Sequence, residues 1–262
     1  MKKIVTLVVL AGILATPLVQ AKEWKEITIA MDATYPPFES VTPDGQLVGF
    51  EVDLAHAVCA EMKLKCNVIN AGWDGLIPGL MAKKYDALMT SMNITDERRK
   101  AIDFSDTYYR MQNRFVAKKG ANIQISKAGL KGKTIAVQNS TPQDNFATEQ
   151  FGDVATIRRY ATANEPYLEL INGRADVHFG FIVQINDGFL SKDGNDKQFE
   201  FIGPTFTGKD NKKLGEGVAV AVRKQDKDLR EMFNKGLAAV KKNGTFKKIN
   251  DKYFPFDLSG DK

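Results

Sequence analysis

Arg98 is the residue whose type and placement most demand a partner. It lies in the run YDALMTSMNITDERRKAIDFSDTY, residues 85–108. Residues 85–91 are short, largely apolar and strand-like. Thr95 then reads as a helix N-cap, with Asp96 and Glu97 in the first turn, where the helix dipole favours anions. A cation one turn into that helix opposes the dipole, so helix stability does not account for it. A planar fork of donors beside free backbone N–H groups suits a carboxylate. The alternative is a solvated arginine paired with Glu97 or Asp103, as most surface arginines are.

The other reactive side chains are few. Cys59 and Cys66 are the only cysteines, at the end of an amphipathic helix and the start of a strand. An even count behind an export signal argues for a disulfide of structural role, because the spacing is not CxxC and no histidine pattern accompanies it. His56 and His178 lie far apart in sequence and read as packed or solvated. Catalytic residues, a metal site and a cofactor are not expected.

Lys2 and Lys3 precede an apolar run over residues 4–14, and Val19, Gln20 and Ala21 form a small-x-small cleavage site. Residues 1–21 therefore read as a secretory signal peptide, leaving Lys22 as the first residue of the mature chain. The apolar run is shorter than the roughly 20 residues needed to cross a bilayer, and no comparable run follows. With no cysteine at the cleavage point, release into a periplasm is the expected outcome. Loss of Lys2 and Lys3 lowers the net charge from +5 to +3. The lysine-rich patches around 209–213 and 241–248 are interleaved with acids or read as solvated faces, so nucleic acid is not an expected partner.

The positioning elements alternate. Strand-like runs at 27–31, 66–69 and 86–91 enclose helices near 52–62 and 75–82, an α/β order with a parallel sheet. A second series uses the same grammar: strands at 115–118, 134–137, 156–160 and from 176, with helices from 142 and near 165–172. Late in the chain, 217–223 reads as a strand, 228–243 as a helix ended by Gly244, and 245–253 as a helix stopping before Pro255. The mature length is enough for two lobes of about 100 to 130 residues.

Several ordered motifs carry a family resemblance. MDATYPPFE at 31–39, GQLVGFEVDLA at 45–55, GWDGLIPGLMAKKYDALMTSMNITDERR at 72–99, IDFSDTYY at 102–109 and NGTFKKINDKYF at 243–254 resemble the periplasmic amino-acid-binding proteins of ABC importers. The likeness is nearest to the lysine/arginine/ornithine, histidine and opine binders of solute-binding protein family 3, and it covers essentially the whole mature chain. Cys59 and Cys66 match a disulfide position of the basic amino-acid binders. The resemblance implies the two-lobed, type II periplasmic-binding-protein fold, with lobe 1 at 22–109 plus 213–262, lobe 2 at 110–212, and two crossing strands as hinge. It also implies a monomer that closes on its ligand and delivers it to an inner-membrane ABC permease.

On matching positions, Asp32 faces the ligand's polar or cationic end and Tyr35 packs on it, with Trp73 as the opposite aromatic wall. Each cation–π contact there contributes about 0.5 to 2 kcal/mol. Thr90, Ser91 and Asn93 match positions supplying hydroxyl, carbonyl and amide contacts, and Arg98 matches the clamp on the ligand's α-carboxylate. From lobe 2, residues 138–141, including Gln138 and Thr141, follow a strand. Thr141 caps the next helix, Pro142 fits its first position and Asp144 completes a box-like start, so that helix N-terminus can hold the same carboxylate.

Three positions depart from the pattern of the basic amino-acid binders. Asn139 replaces a common glycine, which a left-handed-tolerant Asn absorbs, and Pro142 replaces a common glutamine. Phe181 stands where those proteins carry an aspartate for the ligand's α-ammonium, and no other acid lies between Asp176 and Asp187. A phenyl ring cannot accept a charged hydrogen bond. Either the ligand's nitrogen binds carbonyls, water or a π face, or the ligand lacks a free α-ammonium, as N-substituted opines do. A different class, an enzyme like the periplasmic cyclohexadienyl dehydratases that share the fold, is disfavoured because the region of Phe181 offers no paired carboxylate.

Overall fold

The computed structural model describes residues 23–259. The expected signal peptide, 1–21, lies outside them. The first segment runs β1 (Glu26–Met31), β2 (Thr34–Tyr35), β3 (Glu39–Val41), β4 (Leu47–Val48), α1 (Phe50–Met62), β5 (Lys65–Asn70), α2 (Leu76–Met81), β6 (Ala87–Leu88), α3 (Asp96–Ala101) and β7 (Ile102–Phe104). The second runs β8 (Asn113–Lys118), β9 (Thr134–Gln138), α4 (Pro142–Phe151), β10 (Thr156–Tyr160), α5 (Glu165–Ile171), β11 (Val177–Phe181), α6 (Ile182–Ile185) and β12 (Phe199–Phe206). The chain ends with β13 (Ala221–Arg223), α7 (Lys227–Lys242) and α8 (Thr245–Tyr253).

Two five-stranded sheets result, ordered β5-β1-β6-β13-β7 and β10-β9-β11-β8-β12. Alternation of strand and helix predicts parallel sheets, and β1 does pair in parallel with β5 and β6, as β9 does with β10 and β11. Both sheets are nevertheless mixed. The chain passes from one sheet to the other between β7 and β8 and returns before β13, and neither passage is a helical crossover that would force a parallel strand. So β13 enters between β6 and β7 antiparallel to both, and β8 runs against β11 and β12. The two passages meet side by side: Val218 N donates to Tyr109 O at 2.9 Å and Tyr108 N to Val218 O at 3.0 Å. A small antiparallel sheet, β2-β3-β4, adds strands too short to show alternation.

Each sheet is covered on both faces. Ile27, Ile29 and Met31 of β1 face a core built with Leu54, Ala55 and Val58 of α1 and Phe233, Leu237 and Val240 of α7. Ala30 and Leu88 face the other way, onto Leu76 and Leu80 of α2. In the second sheet Phe115, Val137 and Phe179 pack on Phe146 and Phe151 of α4, while Val116 and Ala136 pack on Tyr167 and Leu170 of α5. Cys59 and Cys66 form the expected disulfide, pinning the end of α1 to β5.

Two expected strand boundaries and one expected backbone conformation differ. β6 stops at Leu88, short of residue 91, because the chain turns out of the sheet and Ser91 adopts a left-handed φ of 52°. The strand expected from 217 begins only at Ala221, since 217–218 belongs to the passage between sheets, where Gly217 has a φ of 136° that a side chain rarely adopts. In the loop before α4 the left-handed residue is Ser140, φ 57°, and not Asn139.

Candidate ligand-binding cleft

The strand ends of both sheets and the loops that follow them surround one cavity, of about 550 Å³ with the open solvent at its mouth included. Asp32, Tyr35, Trp73, Thr90, Ser91, Asn93, Arg98, Gln138, Thr141 and Phe181 all line it. This is where open α/β sheets place ligands, beyond the carboxyl ends of parallel strands.

Arg98 is 8% exposed. Thr95 caps α3 by accepting from Arg98 N at 3.3 Å, so the cap that starts the helix also orients the guanidinium. That group donates to Asn93 O at 2.9 Å and, across the cleft, to Ser140 O at 3.2 Å, and it lies 5.2 Å from the Trp73 ring centroid. Burial lowers its pKa to about 10, which leaves it cationic at neutral pH. The solvated pairing considered from sequence is not made: Glu97 pairs with Lys100, and Asp103 with Arg230. Among the described residues no carboxylate bonds Arg98.

Asp32 follows β1 into the cleft. Its N donates to Thr90 Oγ1 at 2.8 Å, and its carboxylate accepts from Thr34 Oγ1 at 3.0 Å and from Gln138 Nε2 of the facing sheet at 3.1 Å. Burial raises its pKa despite these bonds. Trp73 Nε1 donates to Asn139 O at 2.9 Å, and Asn139 Nδ2 to Asp74 at 2.9 Å, two more contacts that span the cleft. Thr141 Oγ1 accepts from Asp144 N at 3.1 Å and donates to Gln138 O at 2.8 Å, so the α4 cap is held to the end of β9. Asp144 itself accepts from Ser140 N and pairs with Arg159. Asn93 Nδ2 is turned to the Met111 sulfur, so Asn93's carbonyl, rather than its amide, touches Arg98.

Phe181 is 2% exposed and packs across the cleft, with its ring 5.4 Å from Phe38 and 6.5 Å from Tyr109. It closes the base of the cavity with apolar surface.

Sequence reading missed Glu39, Gln184 and the cavity-lining role of His178. Glu39 had a visible sign, an acid directly after the apolar TYPPF, where a buried strand leaves it no water. His178 is packed, as expected, with Nδ1 2.8 Å from Ala136 O, a bond that fixes the proton on Nδ1. Burial pushes its pKa down to about 4, so the ring is neutral and Nε2 is a bare acceptor. Neither His178 Nε2 nor Gln184 Nε2 has a protein partner. Among the described residues no group of three or more His, Cys, Asp or Glu is placed to hold a metal ion, and no helix is long and apolar enough to cross a membrane.

A profile of the bacterial extracellular solute-binding proteins, family 3, matches residues 27–256. The chain belongs to this family. Among curated members, the L-arginine-binding protein of Pseudomonas aeruginosa is 42% identical over 99% of both chains. The histidine-binding periplasmic protein of Salmonella typhimurium is 39% identical over 90% of both. Among solved structures, an ancestral arginine-binding protein bound to arginine superposes with a TM-score of 0.80 at 32% identity, covering 87% of this chain and 98% of that one. All three are named as binding proteins. The two-sheet architecture is that of this family's two-lobed fold, and the motifs that resembled periplasmic binders span the matched residues.

Proposed function

We propose that this solute-binding protein is exported by its signal peptide to the periplasm, binds a free amino acid with a cationic or polar side chain, and delivers it to an inner-membrane ABC permease. Arg98 carries the reading. Two of its five N–H donors are engaged by carbonyls, which leaves the others for the cavity the residue lines. A ligand carboxylate in this position faces Arg98 and the N-terminus of α4, a charged pair that contributes about 1.5 to 3 kcal/mol. The ligand side chain then runs between Tyr35 and Trp73 toward Asp32. The relatives named for arginine and histidine support a nitrogen-rich side chain.

The lobes in this reading are 22–109 with 213–262, and 110–212, turning about the paired passages at Tyr109 and Val218. The protein acts as a monomer, with closure reporting occupancy to the permease.

A thermal-shift screen tests the function directly, since ligand stabilises the folded state by RT ln(1 + [L]/Kd). L-arginine, L-lysine, L-histidine, L-glutamine, octopine-type opines and polyamines form the panel. Basic amino acids are expected to raise Tm and polyamines, which lack a carboxylate, are not. In Arg98→Ala the shift should vanish for every carboxylate ligand; an undiminished shift removes Arg98 from its role. A second reading, an opine or other N-substituted amino acid, draws on Phe181, which offers no acceptor at the base of the cleft. It requires a shift with opines and little with free arginine.

A further inference from the structure

Glu39, at the start of β3, is 1% exposed and lines the cavity. Thr90 Oγ1 donates to one carboxylate oxygen at 3.0 Å and Ser91 Oγ approaches the other at 3.4 Å. Among the described residues no Lys, Arg or His bonds it. Its titratable neighbours are Glu51 and Asp32, with the Tyr35, Tyr108 and Tyr109 hydroxyls around them. From the facing sheet the same cavity receives neutral His178, Gln184 and apolar Phe181. Arg98, the one cation among the described residues that line the cavity, is turned to Asn93 O and Ser140 O. A buried carboxyl in such surroundings keeps its proton until a cation arrives. Burial, and then Glu51, hold Glu39 well above the ordinary carboxylate range.

We propose that Glu39 is the counter-charge for the ligand's α-ammonium, so that this nitrogen is read from β3 and not from the end of β11, where Phe181 stands. The proposal rests on the amino-acid reading above. The loop after β6 joins the two positions. Ser91 touches Glu39, and Asn93, two residues on, touches Arg98, so one short loop carries both charges to the same cavity. Asp32 sits apart from this pair, held by Thr34 and Gln138, and takes the far end of the ligand. Two acids and one guanidinium then match a ligand with two cations and one carboxylate, an α-amino acid with a basic side chain. Phe181 packs on Phe38, the residue before Glu39, and so excludes water from the new ion pair. On binding, the Glu39 carboxyl releases its proton to solvent and the ligand ammonium donates to the carboxylate formed.

Calorimetry of the mature protein with L-arginine and with 5-guanidinopentanoic acid, which lacks only the α-amine, in buffers of different ionisation enthalpy, tests this. Both probes engage Asp32 and Arg98 alike. L-arginine should release about one proton more than its deamino analogue and bind about 10- to 150-fold more tightly. In Glu39→Gln both differences should collapse. Equal proton counts for the two probes in the wild type, or a preference for L-arginine that survives in Glu39→Gln, overturns the proposal. The wild-type comparison needs no variant, so misfolding of Glu39→Gln does not blunt the test. If no amino acid binds the wild type at all, the amino-acid reading fails first, which is a separate result.

Discussion

Ser91 bridges two acids, Glu39, which lines the cleft, and Glu51, which is fully buried in α1. Glu51 accepts from Ser91 N at 3.1 Å and from Tyr108 Oη at 2.7 Å, with Tyr109 Oη 3.0 Å away, and this fixes the loop that carries the cleft residues. Burial raises its pKa from 4.5 to about 7 against the lowering effect of those bonds. The sign follows from proton binding. Between pH 4.5 and about 7 the folded state holds a proton on Glu51 that the unfolded chain has lost, so Glu51 makes stability fall as pH rises through this window. His178 acts oppositely: its pKa of about 4 lies below the ordinary 6.5, so stability is lost as pH falls through that interval. In the wild type the falling slopes of Glu51 and Glu39 oppose the rising slope of His178. Glu51→Gln should remove one falling slope, so that between pH 4.5 and 6.5 the slope of the urea-unfolding free energy against pH is more positive than in the parent. An unchanged profile would show that Glu51 is ionised throughout.

At the scale of elements, Arg223 ties β13 to the chain between α2 and β6. It is 2% exposed, and its guanidinium donates to Leu80 O, to Tyr85 O at 2.6 Å, to Asp86 at 3.0 Å and to Asp226 at 2.6 Å. Truncation removes the one buried cation that these carbonyls and acids share. Arg223→Ala should therefore cost about 3 to 5 kcal/mol in chemical denaturation, whereas Arg230→Ala, whose pair with Asp103 is partly exposed, should cost under about 1 kcal/mol. Equal losses would mean that burial does not govern these pairs. The helix starts at Thr95 and Thr141 were legible because a cap bonds within its own turn. The antiparallel entry of β13 was not, since its partners β6 and β7 are distant in sequence and no local pattern encodes which edge it fills.

Across the whole molecule, hydrogen bonds around the cavity join the two lobes: Trp73 to Asn139 O, Asn139 to Asp74, Arg98 to Ser140 O, Gln138 to Asp32 and Ala163 N to Thr34 Oγ1. These are the bonds that opening must break. Asn139→Ala removes the Asp74 contact and keeps the carbonyl that Trp73 uses. Ligand dissociation should become about 2- to 12-fold faster, the equivalent of one hydrogen bond, with association little changed. Stopped-flow Trp fluorescence reads both rates; a change confined to association would place Asn139 outside the closing contacts.

What the sequence determined by itself was local or categorical. Periodicity placed most helices and strands within a few residues, the caps followed from Thr95 and Thr141, and ordered motifs picked out Asp32, Trp73 and Arg98 as residues that share a cavity. A cation set against its own helix dipole is a conflict visible in one dimension. Tertiary structure alone decided that a second acid, Glu39, faces that cavity. Glu39 stands next to Phe38 in sequence but next to Thr90 and Ser91 in space, and only this approach deprives it of both water and a cation. The same folding turned Phe181 from an apparent gap in ligand recognition into a ring packed on Phe38 and Tyr109. Burial and charge neighbourhood arise from contacts between distant segments, and the order of residues along the chain does not contain them.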